Sequence, residues 1–165
     1  MAASHPPESF RQTLDRAIRI VQQSQQRHLI LSSLSGAAAA LLTATLSAEG
    51  QPPFLVVAET FDEAERVRTN IEFFSTPERI AFFPHWDTIP YDSQSPDKDV
   101  IAERFQTLDS IRQREVDVVV TTPNALMQRI MPPDVLQRAR FELKTGDRIE
   151  RTDLLAQLVE MGFVR

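Results

Sequence analysis

The sequence predicts an α/β protein: a doubly wound, mostly parallel sheet with helices on both faces, followed by the start of a second, α+β domain. Three observations carry this reading. The continuous apolar run Phe54 to Ala58 has the length and composition of a parallel strand covered on both faces, and Ile80 to Phe83 and Val116 to Val120, the latter with Asp117 as a polar interruption, read as further short strands. Between them lie segments whose apolar residues recur at helical spacing. With 165 residues, 42% of them hydrophobic, the chain is long enough for one core and a fragment of another. Because parallel strands need right-handed crossovers, this strand and helix alternation leaves few other architectures.

Residues 1–27 are expected to form an N-terminal helix. Ser9 with Gln12 fits a capping box, and Phe10, Leu14, Ala17 and Val21 trace one apolar stripe that ends near Ser24. The main domain, 28–140, opens with His28 to Leu31 as a buried strand, a small-residue turn, and a helix from Gly36 to about Ser47. Gly50 to Pro53 is a turn before the strand at Phe54. Thr60 and Glu63 form a second capping box, after which Phe61, Ala64, Val67, Ile71 and Phe74 define the buried face of a crossover helix.

The strand at Ile80 leads into a loop from Pro84 to Ser95 rich in proline, aspartate and aromatic residues, the kind of segment that often carries function. Ser95-Pro96 suits an N-cap with proline at the first helical position, and Ile101, Phe105 and Leu108 place the apolar face of the helix that follows. Asp117 interrupts the Val116 to Val120 strand, and Thr122-Pro123 opens a helix through Met127 and Ile130. A short helix near Asp134 to Ala139 follows Pro132-Pro133.

Residues 141–165 change character. Phe141-Glu142-Leu143 alternates as a half-exposed strand, Lys144 to Asp147 is a turn, and Thr152 caps a helix carrying Leu154, Leu155, Leu158 and Val159, stopped by Gly162. About 25 residues of this kind cannot enclose a core, so the chain is expected to stop shortly after a second domain begins.

Composition narrows the function. Net charge is −5, and the three histidines are scattered at positions 5, 28 and 85, which leaves neither the basic field of a nucleic-acid binder nor a metal cluster. Cysteine is absent, which excludes disulfides, thiol catalysis and thiolate metal sites. No apolar run approaches the roughly 18 residues needed to span a bilayer, and the first residues lack the pattern of a signal peptide, so a cytoplasmic protein without a membrane partner is expected.

One stretch has the placement of a phosphate-binding loop. From Leu31 to Leu42 the order is apolar run, small-residue turn, alanine-rich helix. A working P-loop needs two glycines to curl the backbone, a lysine on the β/γ-phosphates and a hydroxyl on Mg²⁺. Aligned on Gly36, this stretch has Ser33 for the first glycine, Ala38 for the second, Ala39 for the lysine and Ala40 for the hydroxyl. Taken alone, the residues fit either a packing turn and helix or a nucleotide site that has lost its chemistry. His85, Asp87 and Asp92 are read as parts of an ordered, proline-braced loop anchored by Trp86 and Tyr91, rather than as an acid–base cluster. Lys144, Arg148 and Arg151 alternate with Glu142, Asp147 and Glu150, which describes a solvated mixed-charge surface.

Several stretches together resemble one family. Ser33 to Ala38, Phe83-Pro84-His85-Trp86-Asp87-Thr88-Ile89-Pro90-Tyr91-Asp92, Val119 to Arg129 with its Asn124-Ala125-Leu126-Met127-Gln128-Arg129 segment, and Leu143 to Asp147 are similar, in order and spacing, to the N-terminal UvrB-like module of the bacterial transcription-repair coupling factors, the Mfd family. The resemblance covers roughly residues 28–165; Trp86, Asp87, Pro90, Tyr91 and Asp92 make its signature loop.

The resemblance implies a fold like domain 1 of UvrB with a degenerate P-loop over 28–140, and the start of domain 2 over 141–165. It implies a parent protein that is an ATP-driven DNA translocase, displacing stalled RNA polymerase and recruiting the excision-repair protein UvrA, with ATP and Mg²⁺ held in a motor elsewhere in that parent. This part itself is then expected to be a non-catalytic interaction or regulatory module, with no catalytic residue, cofactor or metal of its own. Its UvrA contact is expected in domain 2, mostly beyond Arg165, and its RNA polymerase and duplex DNA contacts in the remainder of the parent. The Asp87 to Asp99 connection is too short for the DNA-inserting hairpin of UvrB. The alternative is an active P-loop-like α/β nucleotide-binding enzyme, against which Ala39 stands; a flavodoxin-type small-molecule binder rests on fold analogy alone.

Overall fold

A computed structural model describes residues 8–32, 34, 36–49, 53–86, 97–138 and 143–160, which divide into two compact units, 1–128 and 129–165. The first unit is built on a parallel three-stranded sheet of order β1-β3-β2, with β1 Phe54–Val57, β2 Ile80–Phe83 and β3 Val118–Thr121. Val118 pairs with both Phe54 and Ile80, and Thr121 with both Val57 and Phe83, so the strands run level and their carboxyl ends lie together. Placing β3 between its two predecessors requires helical crossovers, as the alternation predicted.

Alternation along the strands sorts the core into two faces. On one, Val118, Val120, Ile80 and Phe82 meet Ala40 and Ala44 of α2 (Ala38–Ala48) and Ala64 and Ile71 of α3 (Phe61–Phe74). On the other, Phe83, Val119 and Ala125 meet Leu108 and Ile111 of α4 (Lys98–Gln113). Small residues let α2 sit close to the sheet, while its other side offers Leu42 and Leu46 to Ile18, Leu14 and Val21 of α1 (Glu8–Gln23). The N-terminal stripe predicted from Leu14, Ala17 and Val21 is therefore a packing surface.

The ends of α3 and α4 show how local sequence sets boundaries. The Thr60 hydroxyl accepts from Glu63 N–H at 3.2 Å, and the Glu63 carboxylate reaches back to Glu59 N–H at 3.3 Å, one residue before the usual return partner of a capping box. At α4 the cap is Asp97, whose carboxylate accepts from Asp99 N–H at 2.8 Å. The expected Ser95 cap and Pro96 fall outside the described residues. The helix closes on Arg114, a non-glycine residue with φ of 59°, whose turn lets Glu115 N–H reach Ser110 O at 2.9 Å.

Other expectations are corrected. His28 to Leu31 is not a strand: it has no ladder partner, and Ile30 is 95% exposed. An apolar run makes a strand only where a neighbour completes its hydrogen bonds, and this run does not pair with the open edge of β1. Nor is β1 covered on both faces. Phe54 and Val56 are half-buried, but Leu55 and Val57 point away from α2 and α3, 55% and 47% exposed, because α4 covers the opposite side only over β2 and β3. The helix after Thr122 is a single turn, α5 Pro123–Leu126, and does not continue through Ile130. The N-terminal helix begins at Glu8, so Ser9 lies inside it.

Among its described residues the second unit holds two helices, α6 Pro133–Arg138 and α7 Arg151–Glu160. Between them the predicted turn is present. Lys144 N–H donates to the Asp147 carboxylate at 2.8 Å, Asp147 N–H returns to Lys144 O at 3.1 Å, and Gly146 takes a φ of 102° that a side chain would resist. Leu143 is not in a strand, while Phe141 and Glu142 lie outside the described residues. Thr152 sits within α7 rather than capping it, and Gly162 lies outside the described residues. Among the described residues no helix is long and apolar enough to cross a membrane.

Candidate functional site

The carboxyl ends of β2 and β3 carry a cluster of buried polar contacts. Thr107 of α4 donates its hydroxyl to Phe82 O and Thr121 donates to Phe83 O, both at 2.7 Å. These bonds fix the last residues of β2, after which the chain continues as Pro84-His85-Trp86. Arg104 enters here from α4. Its Nη1 donates to Pro84 O and, at 3.3 Å, to Gln128 Oε1. That same Oε1 accepts from Trp86 N–H at 2.7 Å. The guanidinium carbon stands 4.2 Å from the centre of the Phe83 ring and 4.3 Å from that of Trp86, so the cation is held against two aromatic rings.

Arg104 is 3% exposed, and burial lowers its pKa from the ordinary arginine value. The group nonetheless stays protonated in a protein. Its Nη2 is buried and has no hydrogen-bond partner; among the described residues the same is true of His85 Nδ1 and Thr122 Oγ1. The His85 ring lies edge-on to Phe61, 6.1 Å between centres, and Phe61 also meets Phe82 at 5.4 Å. Of the predicted signature loop, Trp86 thus belongs to this cluster; Asp87, Pro90, Tyr91 and Asp92 lie outside the described residues.

The stretch aligned with a P-loop occupies the turn before α2. Gly36 has a φ of 58° with open space where a Cβ would stand. Ala38 begins the helix, Ala39 is exposed, and Ala40 is packed into the core at 3% exposure. No side chain caps this helix and its first turn has no acidic residue. Ser33 lies outside the described residues. Neither alanine side chain has an atom that can hold a phosphate or a metal.

A cleft of about 190 Å³ runs along the outer edge of β2, lined by Arg68, Glu78, Glu103, Gln106 and Ser110 among others. Arg68 and Glu103 are already engaged with each other. Arg68 pairs with Glu72 at 2.7 Å and Glu103 at 3.7 Å, while burial raises the Glu103 pKa against the pull of Arg68. Beside β3, Arg79 and Asp117 form a two-toothed ion pair that holds the Asp117 carboxyl below its ordinary pKa. Among the described residues no group of three or more His, Asp or Glu could hold a metal ion.

Arg104, Thr107, Thr121 and Gln128 are absent from the sequence-derived candidates. A signal existed for the first: Ile101, Arg104, Leu108 and Ile111 follow the buried period of α4, so a charged residue stood where the pattern called for an apolar one. Thr107 carried no such mark. Gln128 lies inside the Asn124 to Arg129 segment that carries the resemblance, but spacing could not assign it a partner 42 residues away.

No family model matches the chain. Individual relatives do. The transcription-repair-coupling factor of Escherichia coli strain K12 is 33% identical over 157 residues, which is 95% of this chain and 13% of the relative. That of Haemophilus influenzae is 29% identical over 82% of this chain, and that of Bacillus subtilis 24% over 82%. The chain therefore spans about an eighth of the curated relatives it matches, 12–13% of their length. The matches run through the Trp86 and Gln128 segments that build the site and across most of the chain, so this chain belongs to the transcription-repair-coupling-factor family, of which it matches the N-terminal region.

Proposed function

We propose that this chain is a non-catalytic interaction module of a transcription-repair coupling factor, within a parent protein that translocates on duplex DNA, displaces stalled RNA polymerase and recruits UvrA. The carrying observation is the α2 entry. Ala39 and Ala40 stand where a nucleotide site needs an ammonium and a hydroxyl, and Ala40 is committed to the core. A helix N-terminus without those groups adds only about 0.3 to 1 kcal/mol for an exposed anion.

In this reading the first unit is a UvrB-like domain with a degenerate P-loop, while ATP and Mg²⁺ act in the parent's motor. The Arg104–Gln128 cluster is a brace that fixes Trp86 and the start of the signature loop. UvrA is met through a second domain that begins near residue 141, in the cytoplasm. The test is a UvrA binding titration with this chain and with one extended by about 150 residues, a typical domain's length. Weak or absent binding by the first and clear binding by the second is expected. Tight binding by the 165-residue chain alone, or none by the extended one, would refute the placement of the UvrA contact.

A further inference from the structure

We propose that Arg104 is the receptor for a small oxyanion, carboxylate or phosphate, at the carboxyl end of the sheet, a ligand site beyond the bracing role given to it above. The guanidinium is 3% exposed, and its hydrogen bonds go to two neutral acceptors, Pro84 O and Gln128 Oε1, both taken by Nη1. Nη2 is buried and donates to nothing. A buried cation with an idle donor and, among the described residues, no counter-charge is strongly unfavourable, and a bound anion removes both penalties together.

The geometry is also prepared. Phe83 and Trp86 hold the guanidinium, with ring centres 4.2 and 4.3 Å from its carbon, so its planar fork is set before a ligand arrives. Such a fork matches the paired oxygens of a carboxylate or phosphate, where an ammonium would not. Burial lowers the Arg104 pKa, and among the described residues no carboxylate opposes it. The place agrees with the chemistry. Open parallel sheets bind ligands beyond the carboxyl ends of their strands, and His85 Nδ1 and Thr122 Oγ1, also buried without partners, follow β2 and β3 at this end.

Trp86 is the one tryptophan in the chain and touches the guanidinium, so its emission reports occupancy. The chain is titrated with sodium phosphate and, separately, with sodium acetate, each against sodium chloride at matched ionic strength. A saturable change in Trp86 emission is expected with at least one of the two, together with a thermal midpoint higher by about 5 °C at a hundredfold excess over Kd. Response to phosphate alone assigns a phosphate-type ligand, and response to acetate alone a carboxylate. Arg104→Gln, which keeps an amide donor but removes the charge, is expected to weaken the response about tenfold or more. Flat emission with an unchanged midpoint for both salts in the unaltered chain overturns the proposal, whether or not the variant folds. So does an undiminished response in Arg104→Gln. Neither result bears on nucleotide or UvrA binding, so this inference and the function proposed above fail separately.

Discussion

Replacing Gln128 by alanine removes one oxygen that serves two donors. Gln128 Oε1 accepts from Trp86 N–H at 2.7 Å and from Arg104 Nη1 at 3.3 Å. The first is a neutral bond of ordinary length, contributing about 1 kcal/mol net, and its loss strands a half-buried N–H. The second involves a charged donor, a class worth about 1.5 to 3 kcal/mol, but its length places it at the lower end. Together the loss is about 2 to 3 kcal/mol, which for a chain of this size lowers the thermal midpoint by about 4 to 12 °C. Far-UV circular dichroism gives the midpoint, and Trp86 emission follows the site, with a red shift expected as its anchor is removed. A midpoint lower by less than about 1 °C with unchanged emission would show that Gln128 does not hold Trp86, because a change that small corresponds to no more than about 0.5 kcal/mol.

Thr60→Ala should cost about 1 kcal/mol by removing the α3 cap, measurable in urea denaturation, and Thr60→Ser should restore most of it. The Asp117 carboxyl is held below its ordinary value of 3.8 by the hydrogen bond from Arg79, so the pair's contribution is complete above that value and is lost as pH falls through the lower folded one. Arg79→Met should therefore lower stability at neutral pH and leave a shallower loss on the acid side of about pH 4; an acid limb identical to that of the unaltered chain would contradict the pairing. With a net charge of −5, the chain should not bind duplex DNA at physiological salt, and an anisotropy titration that gives a Kd below about 10 µM would contradict this.

The sequence made the sheet legible where local pattern and tertiary environment agreed. Val118 to Thr121 is buried throughout and Ile80 to Phe83 nearly so because helices cover both faces of these strands, as their apolar residues suggested. Thr60 marked the start of α3 for a reason contained within four residues. His28 to Leu31 failed because a strand's identity depends on a neighbour, and no local pattern specifies one. The open face of β1 at Leu55 and Val57 was likewise invisible, since apolar runs do not reveal which side a helix will cover. Ala38, Ala39 and Ala40 were placed correctly at the head of a helix, because small residues after a glycine turn make the same structure with or without a nucleotide. The brace around Trp86 was half legible: the aromatic residue stood out, but its partners Arg104 and Gln128 come from 18 and 42 residues away, where the chain's own spacing carries no information.

The most direct test of a module without nucleotide chemistry is calorimetry with ATP and Mg²⁺. Micromolar affinity corresponds to about 8 kcal/mol, far above the fraction of a kcal/mol to about 1 kcal/mol that an uncapped helix N-terminus supplies. With Ala39 and Ala40 at the head of α2, no saturable heat is expected up to millimolar ATP. A micromolar dissociation constant, lost when ATP is replaced by AMP, would contradict the account at its centre.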